Sequence, residues 1–325
     1  MKYIKFNEAV KTTDRLIKLL HDLKINPKIG AEIESEFLSP LQLAEILHNS
    51  KVLESPPQLL ANAGGIVDLA AKILSIENQP ELKDFIPHLK IFSNDHTFST
   101  AVQMKKGDIR DDGNRKMAEL YLACLAVHFA FNVKLDHPEQ SKGDNPDIIF
   151  DIKLDDNNKS TWTLAVKTIS TLNGQTIFEN IQKASRQIDS ENCKADRGIV
   201  VINLKNSIDH DLLWGRDFAS PDDAINELGD QITSIMSLAE KDRPEEEWTS
   251  LFSNKTSPLI LYYAHAVVKL NSSIGKEKPI ILKIMKWINP TKNPDPVALG
   301  IAWYLNHYMQ IIVEGTPGSN GTLPS

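Results

Sequence analysis

Cysteine is scarce: Cys124 and Cys193 are the only two in 325 residues. Two thiols cannot build a disulfide framework or a cysteine zinc centre, so reduced thiols in the cytoplasm are expected. Long hydrophobic runs are missing too. No stretch approaches the ~18 apolar residues that a bilayer span requires. The opening residues, Met-Lys-Tyr-Ile-Lys-Phe-Asn-Glu, hold no apolar core of an export signal. Neither membrane insertion nor export is expected. There is no basic excess either. Lys and Arg total 36 against 43 Asp and Glu, a net charge of −7. That balance argues against coating nucleic acid through bulk charge, while leaving room for a local basic groove. Glycine-rich phosphate loops followed by Lys and Ser or Thr are absent, as are G-x-S-x-G and H-E-x-x-H. Nucleotide-hydrolysing motors, serine hydrolases of the elbow type and zinc proteases are therefore not expected.

What is present is ordinary globular material, 41% hydrophobic and 24% charged. At ~150 residues per domain the length suggests about two domains. The first hundred residues read as helices. Val10, Leu16, Ile17, Leu20 and Leu23 recur at helical spacing. Ser39-Pro40-Leu41-Gln42 and Ser55-Pro56-Pro57-Gln58 repeat a capping pattern, the second ahead of a helix through about Leu74. No catalytic constellation stands in this part, and an accessory or partner-docking role is expected for residues 1–105.

The pattern changes near residue 113. Met117, Leu120, Tyr121, Cys124 and Leu125 predict a largely buried helix, and Asn132 to Leu135 a short strand. After a polar loop ending in Asn145-Pro146-Asp147, the residues Ile148, Phe150 and Ile152 alternate with Ile149, Asp151 and Lys153. Asp155 to Lys159 is a turn cluster. The return strand, about Ser160 to Ile169, places Trp162, Leu164 and Val166 on one face and Thr163, Ala165 and Lys167 on the other. Ile177, Ile181, Ala184 and Ile188 mark an amphipathic helix, and Gly198 to Leu204 a buried strand. Residues 106–215 thus read as helix, three strands, helix, strand. Beyond them, residues 216–315 hold a helix capped at Ser220, a long strand over Pro258 to Leu270 and a last helix opening at Asp295-Pro296. The tail, 316–325, is expected to be disordered.

Glu119, Asp147, Ala165 and Lys167, in this order of elements, resemble the PD-(D/E)xK nuclease superfamily. Pro146-Asp147 matches its PD element, and Leu164-Ala165-Val166-Lys167-Thr168 falls where the family has an acid, any residue and lysine. Glu119, on the preceding helix, matches an extra acid found in many members. The resemblance covers about residues 113–204. It implies an α/β, restriction-endonuclease-like fold with a mixed sheet flanked by helices, an N-terminal helical region and a C-terminal α/β extension. One position departs. The family's second carboxylate should stand at Ala165, and alanine cannot bind a metal. Either the chain is a variant inactivated at this position, or that ligand has been lost or moved.

The implied activity is Mg²⁺-dependent DNA endonuclease, with Mn²⁺ able to substitute. Hard cations neutralise charge on the phosphate and favour oxygen ligands. Asp147, the acid at position 165 and the Val166 carbonyl would hold the metal, and Glu119 would join directly or through water. Lys167 would orient the attacking water or stabilise transition-state charge. Gln182, Lys183, Arg186 and Gln187 on the following helix read first as surface residues. So does His210, expected on a solvated loop, whereas His265 reads as a core histidine. A defence role, a homodimer, or an ATPase or helicase partner follow from the resemblance alone. Two other readings stay open: a non-catalytic nucleic-acid-binding or scaffold subunit, and a protein-interaction subunit.

Overall fold

The computed structural model describes residues 6–26, 40–41, 57–94, 112–138, 145–155, 158–252, 254–271 and 278–313. Ser39 and Ser55, the two expected helix caps, the centre of the 155–159 turn and the 316–325 tail lie outside these residues. The chain opens with helices α1 (Phe6–Asp22), α2 (Pro57–Ser75) and α3 (Ile86–Asn94), a short 3₁₀ turn at Pro80–Lys83 preceding α3. Then come α4 (Asp112–Ala126), β1 (Phe131–Leu135), β2 (Ile148–Lys153), β3 (Lys159–Thr168), α5 (Gly174–Asp189) and β4 (Arg197–Asn203). The remainder holds α6 (His210–Gly215), β5 (Asp217–Phe218), α7 (Pro221–Glu240), α8 (Glu245–Leu251), β6 (Thr256–Leu270), β7 (Lys278–Ile288) and α9 (Pro296–Ile311).

The seven strands make one mixed sheet. β1 and β2 pair antiparallel, as do β2 and β3, whereas β3–β4 and β4–β6 are parallel. β6 is long enough to serve several neighbours. Its residues 260–263 pair with β4 and also with β7, and its Lys269 and Leu270 pair with β5 and also with β7. Since a strand has only two edges, β4 and β5 share one and antiparallel β7 takes the other.

Strand alternation assigns each side chain to a layer. Trp162, Leu164, Val166, Ile199, Val201, Leu261 and Tyr263 join the apolar cluster that also holds Leu20, Ile66, Leu120 and Leu305 from α1, α2, α4 and α9. Ala165, Val200, Ile202, Ile260 and Tyr262 face the other way, into a cluster with Ile181 of α5 and Leu228 of α7. The result is a helix–sheet–helix sandwich. Parallel strands covered on both faces read as continuous apolar runs, and Gly198-Ile-Val-Val-Ile is such a run. Gly198 is required there: a Cβ would stand 2.5 Å from Thr163 Cγ2 and 2.8 Å from Ile188 Cγ2. Helices α1 to α3 pack on the same cluster as the sheet, so the described part of the docking region expected at 1–105 shares a core with the strands.

Strand β7 was not anticipated from sequence, although Ile280, Leu282 and Ile284 alternate in it. His210 departs from expectation as well. It is buried at the start of α6, its Nε2 2.6 Å from the Lys205 carbonyl, because the chain turns over Leu204–Ile208 before the helix begins.

Candidate active site

The β2–β3 hairpin sets the site. Its ladder runs from Lys153↔Lys159 to Ile148↔Leu164, so Asp147 is the first residue beyond the last pair. Three contacts hold it there. Its N–H donates to the Leu164 carbonyl (3.1 Å), its carbonyl accepts from the Asp136 N–H (2.9 Å), and its Oδ2 accepts from the Val166 N–H (2.6 Å). The side chain thus replaces the backbone acceptor that the ladder no longer supplies. In a strand the N–H and C=O of one residue point to the same edge, so the Val166 carbonyl faces the Asp147 side of β3.

Glu119 arrives from α4. It is 1% exposed, and Asp147 is 5% exposed. The two carboxyls lie close enough for the charge of one to act on the other. Burial pushes the Asp147 carboxyl up to about 7, the Glu119 charge adds to that rise, and Lys167 and the Val166 N–H oppose it. Burial also raises the Glu119 acid, against Lys116. Lys116 Nζ donates to both Glu119 oxygens, at 3.1 and 2.8 Å. His88 of α3 sets its Nε2 3.4 Å from Glu119 Oε2. Burial drives its imidazole down to about 3, keeping it neutral, and Lys116 pushes the same way.

Lys167 leaves β3 on the face opposite Leu164 and Val166. It is half-buried, and its Nζ donates to Gln187 Oε1. Gln187 Nε2 in turn donates to the Asn145 carbonyl (3.2 Å), tying α5 to the segment that presents Asp147. Gln187 is therefore a bridge between these elements, whereas the sequence made a surface side chain the first reading, beside the functional glutamine that some members of the resembled family carry in this region. Burial lowers the Lys167 ammonium, and Asp147 pulls it back up. Gln182 is half-buried on the same helix, and Lys183 and Arg186 are exposed.

Glu119, Asp147, the Val166 backbone and Lys167 come together at one end of the sheet, where β3 stops and β2 begins. Ala165 is fully buried in the apolar cluster beneath α5. His88, Arg115 and Lys116 were missed. Lys116 carried a signal, being three residues before Glu119 on one helix face; His88 carried none, since only packing brings α3 to α4. His265 lies buried in β6 against the Tyr121 and Tyr263 rings, as expected of a core histidine.

Among the described residues no group of three or more His, Cys, Asp or Glu is gathered as a metal site. Two paired carboxylates and a backbone carbonyl nonetheless suit Mg²⁺, which keeps several waters and is commonly held by one or two carboxylates. Among the described residues no helix is long and apolar enough to cross a membrane. No protein-family model matches this chain, and no curated protein or solved structure matches it.

Proposed function

We propose that this protein is a metal-dependent DNA endonuclease of the PD-(D/E)xK type whose acid set is incomplete at position 165. The observation that carries the reading is the meeting of Asp147, Glu119 and Lys167 at one sheet end. The surrounding order agrees with a restriction-endonuclease-like core: helix α4, antiparallel β1–β2–β3, helix α5, then β4 parallel to β3. Asp147, Glu119 and the Val166 carbonyl would hold the cation. When bound, Mg²⁺ neutralises phosphate charge and makes a water acidic enough to attack near neutral pH. Lys167, steered by Gln187, presents its ammonium beside Asp147, where it orients that water and stabilises charge developing on the phosphate. Burial keeps the acids out of bulk water, which strengthens every charge interaction made there.

Ala165 shares a strand face with Lys167, and a carboxylate at 165 lies next to Asp147 across the hairpin. Ala165→Glu is expected to give Mg²⁺- or Mn²⁺-dependent cleavage of linear, supercoiled or single-stranded DNA, abolished by EDTA and by Lys167→Ala in the restored background. Several kcal/mol of transition-state stabilisation make this a difference on the order of 100-fold or more, visible on a gel. Complete burial of Ala165 in apolar surroundings favours the second reading, a non-catalytic nucleic-acid-binding module. A restored protein inert on every substrate would leave that reading standing.

A further inference from the structure

We propose that Lys116 is the resting counter-ion of Glu119, that a divalent cation displaces it, and that the released ammonium then contacts the phosphodiester backbone of the substrate. This rests on the nuclease reading above. The Lys116 ammonium covers both oxygens of the Glu119 carboxyl, so a cation drawing on that carboxyl competes with it directly. The two partners differ in freedom. The Glu119 side chain is 2% exposed and locked by its neighbours, whereas that of Lys116 is 16% exposed, at the rim. Displacement therefore moves the lysine outward and leaves the acid in place.

The charge around the acids supports the exchange. Arg115, Lys116 and Lys167 all act on this group of residues. Lys167 is held by Gln187, and among the described residues Lys116 is bound through the acid that the cation would take. Its release places a second ammonium beside Arg115 at the mouth of the site, where an entering phosphodiester needs cations. Metal loading and substrate binding are thereby coupled: the ion that prepares the site also frees a phosphate contact.

The test measures Mn²⁺ binding by the loss of the free-ion EPR signal, with wild type, Lys116→Gln and Lys116→Arg, each checked for folding by a melt in EDTA. Lys116→Gln is expected to bind Mn²⁺ roughly tenfold more tightly, because a charge-assisted hydrogen bond no longer has to be broken. Lys116→Arg keeps the competing charge and stays near wild type. On a DNA duplex in Mn²⁺, Lys116→Gln should lower the slope of log affinity against log salt by about one, with no change in EDTA. Wild type supplies a measurement free of substitution: amine labelling read by mass spectrometry should increase at Lys116 on Mn²⁺ saturation. Unchanged or weaker Mn²⁺ binding by Lys116→Gln, or labelling indifferent to Mn²⁺, overturns the exchange and leaves Lys116 a structural partner. An unaltered salt slope overturns the phosphate contact. If neither wild type nor Ala165→Glu binds Mn²⁺, or if binding is equal after Glu119→Gln and Asp147→Asn, the nuclease reading itself fails.

Discussion

At Asp147 burial and charge oppose each other, and the conflict has a measurable sign. Its carboxyl is held near 7 against an ordinary 3.8. Between those values the folded chain keeps a proton that the unfolded chain releases. The associated stability is complete below about pH 4 and is lost as pH rises through 7. Asp147→Asn removes this dependence while leaving an oxygen to accept from the Val166 N–H. In EDTA at pH 8 the variant is expected to melt a few degrees above the parent, on the order of 1–2 kcal/mol, with the gap closing toward pH 5. Calorimetry across a pH series checks this. Equal melting at pH 8 would mean that the Asp147 charge is already compensated. The same substitution should abolish stabilisation by Mn²⁺, so one residue shows a gain and a loss. A buried carboxylate that costs stability in the absence of its ligand is common at functional sites.

At the scale of elements, helix ends show how local rules hold the frame of the site. Asp295 caps α9, its Oδ1 accepting from the Val297 and Ala298 N–H groups, both at 3.1 Å. Its Oδ2 also takes Arg197 at 2.7 Å, joining the helix start to the start of β4. Asp295→Ala removes cap and ion pair together and is expected to cost about 1–2 kcal/mol, read as a lower urea midpoint at unchanged slope. The pair is partly exposed on the arginine side, so most of that loss belongs to the cap. Ser220 does the same for α7, accepting from the Asp223 N–H at 3.2 Å, and Asn173 for α5, accepting from the Thr176 N–H at 2.9 Å. These caps fix where each helix begins. Where α5 lies against the sheet is decided by Gly198, whose missing side chain lets Ile188 approach β4.

Across the whole molecule, one buried ionic network joins parts far apart in sequence. Lys72 of α2 is fully buried and donates to Asp68 Oδ1 (2.8 Å), to the Met309 carbonyl (3.1 Å) and to the Ile312 carbonyl at the end of α9. Lys283 of β7 reaches the same Asp68 oxygen at 2.7 Å, and Tyr121 of α4 donates to Oδ2 at 2.7 Å. Burial pushes the Asp68 carboxyl up, but Lys283 and Lys72 outweigh it and hold the acid well below its usual range. Lys72→Met leaves two helix-end carbonyls without their donor in the interior. The expected loss is about 3 kcal/mol, seen in chemical denaturation as a single transition at lower midpoint. A change below about 0.5 kcal/mol would mean that Asp68, Lys283 and Tyr121 hold α2, β7 and α4 together without it and that α9 needs no Lys72 contact. Tyr121 lies two residues from Glu119, so this network anchors the helix that carries one of the site acids.

Much of this architecture follows from local pattern. Alternation along Ile148 to Lys153 and Ser160 to Lys167 defines the hairpin, and the apolar run after Gly198 defines β4. Ser220 and Asp295 mark their helices, because period and capping depend on near neighbours alone. The same hairpin reading places Asp147 close to Lys167 and gives Ala165 the face of Lys167. Other features depended on the tertiary structure. β7 went unread despite its alternation, since an apolar run earns its assignment only from the strand it pairs with. His210 is buried because of where the chain turns after β4, and Gln187 acquires its role because α5 docks over Asn145 and Lys167. His88 meets Glu119 across 31 positions of sequence. Whether Glu119 is a solvated helix acid or half of a buried carboxyl pair depends on which elements cover it. The physical reason is range: propensity, period and caps act over one to four residues, whereas desolvation and charge pairing depend on everything within a few ångströms, whatever its place in the chain.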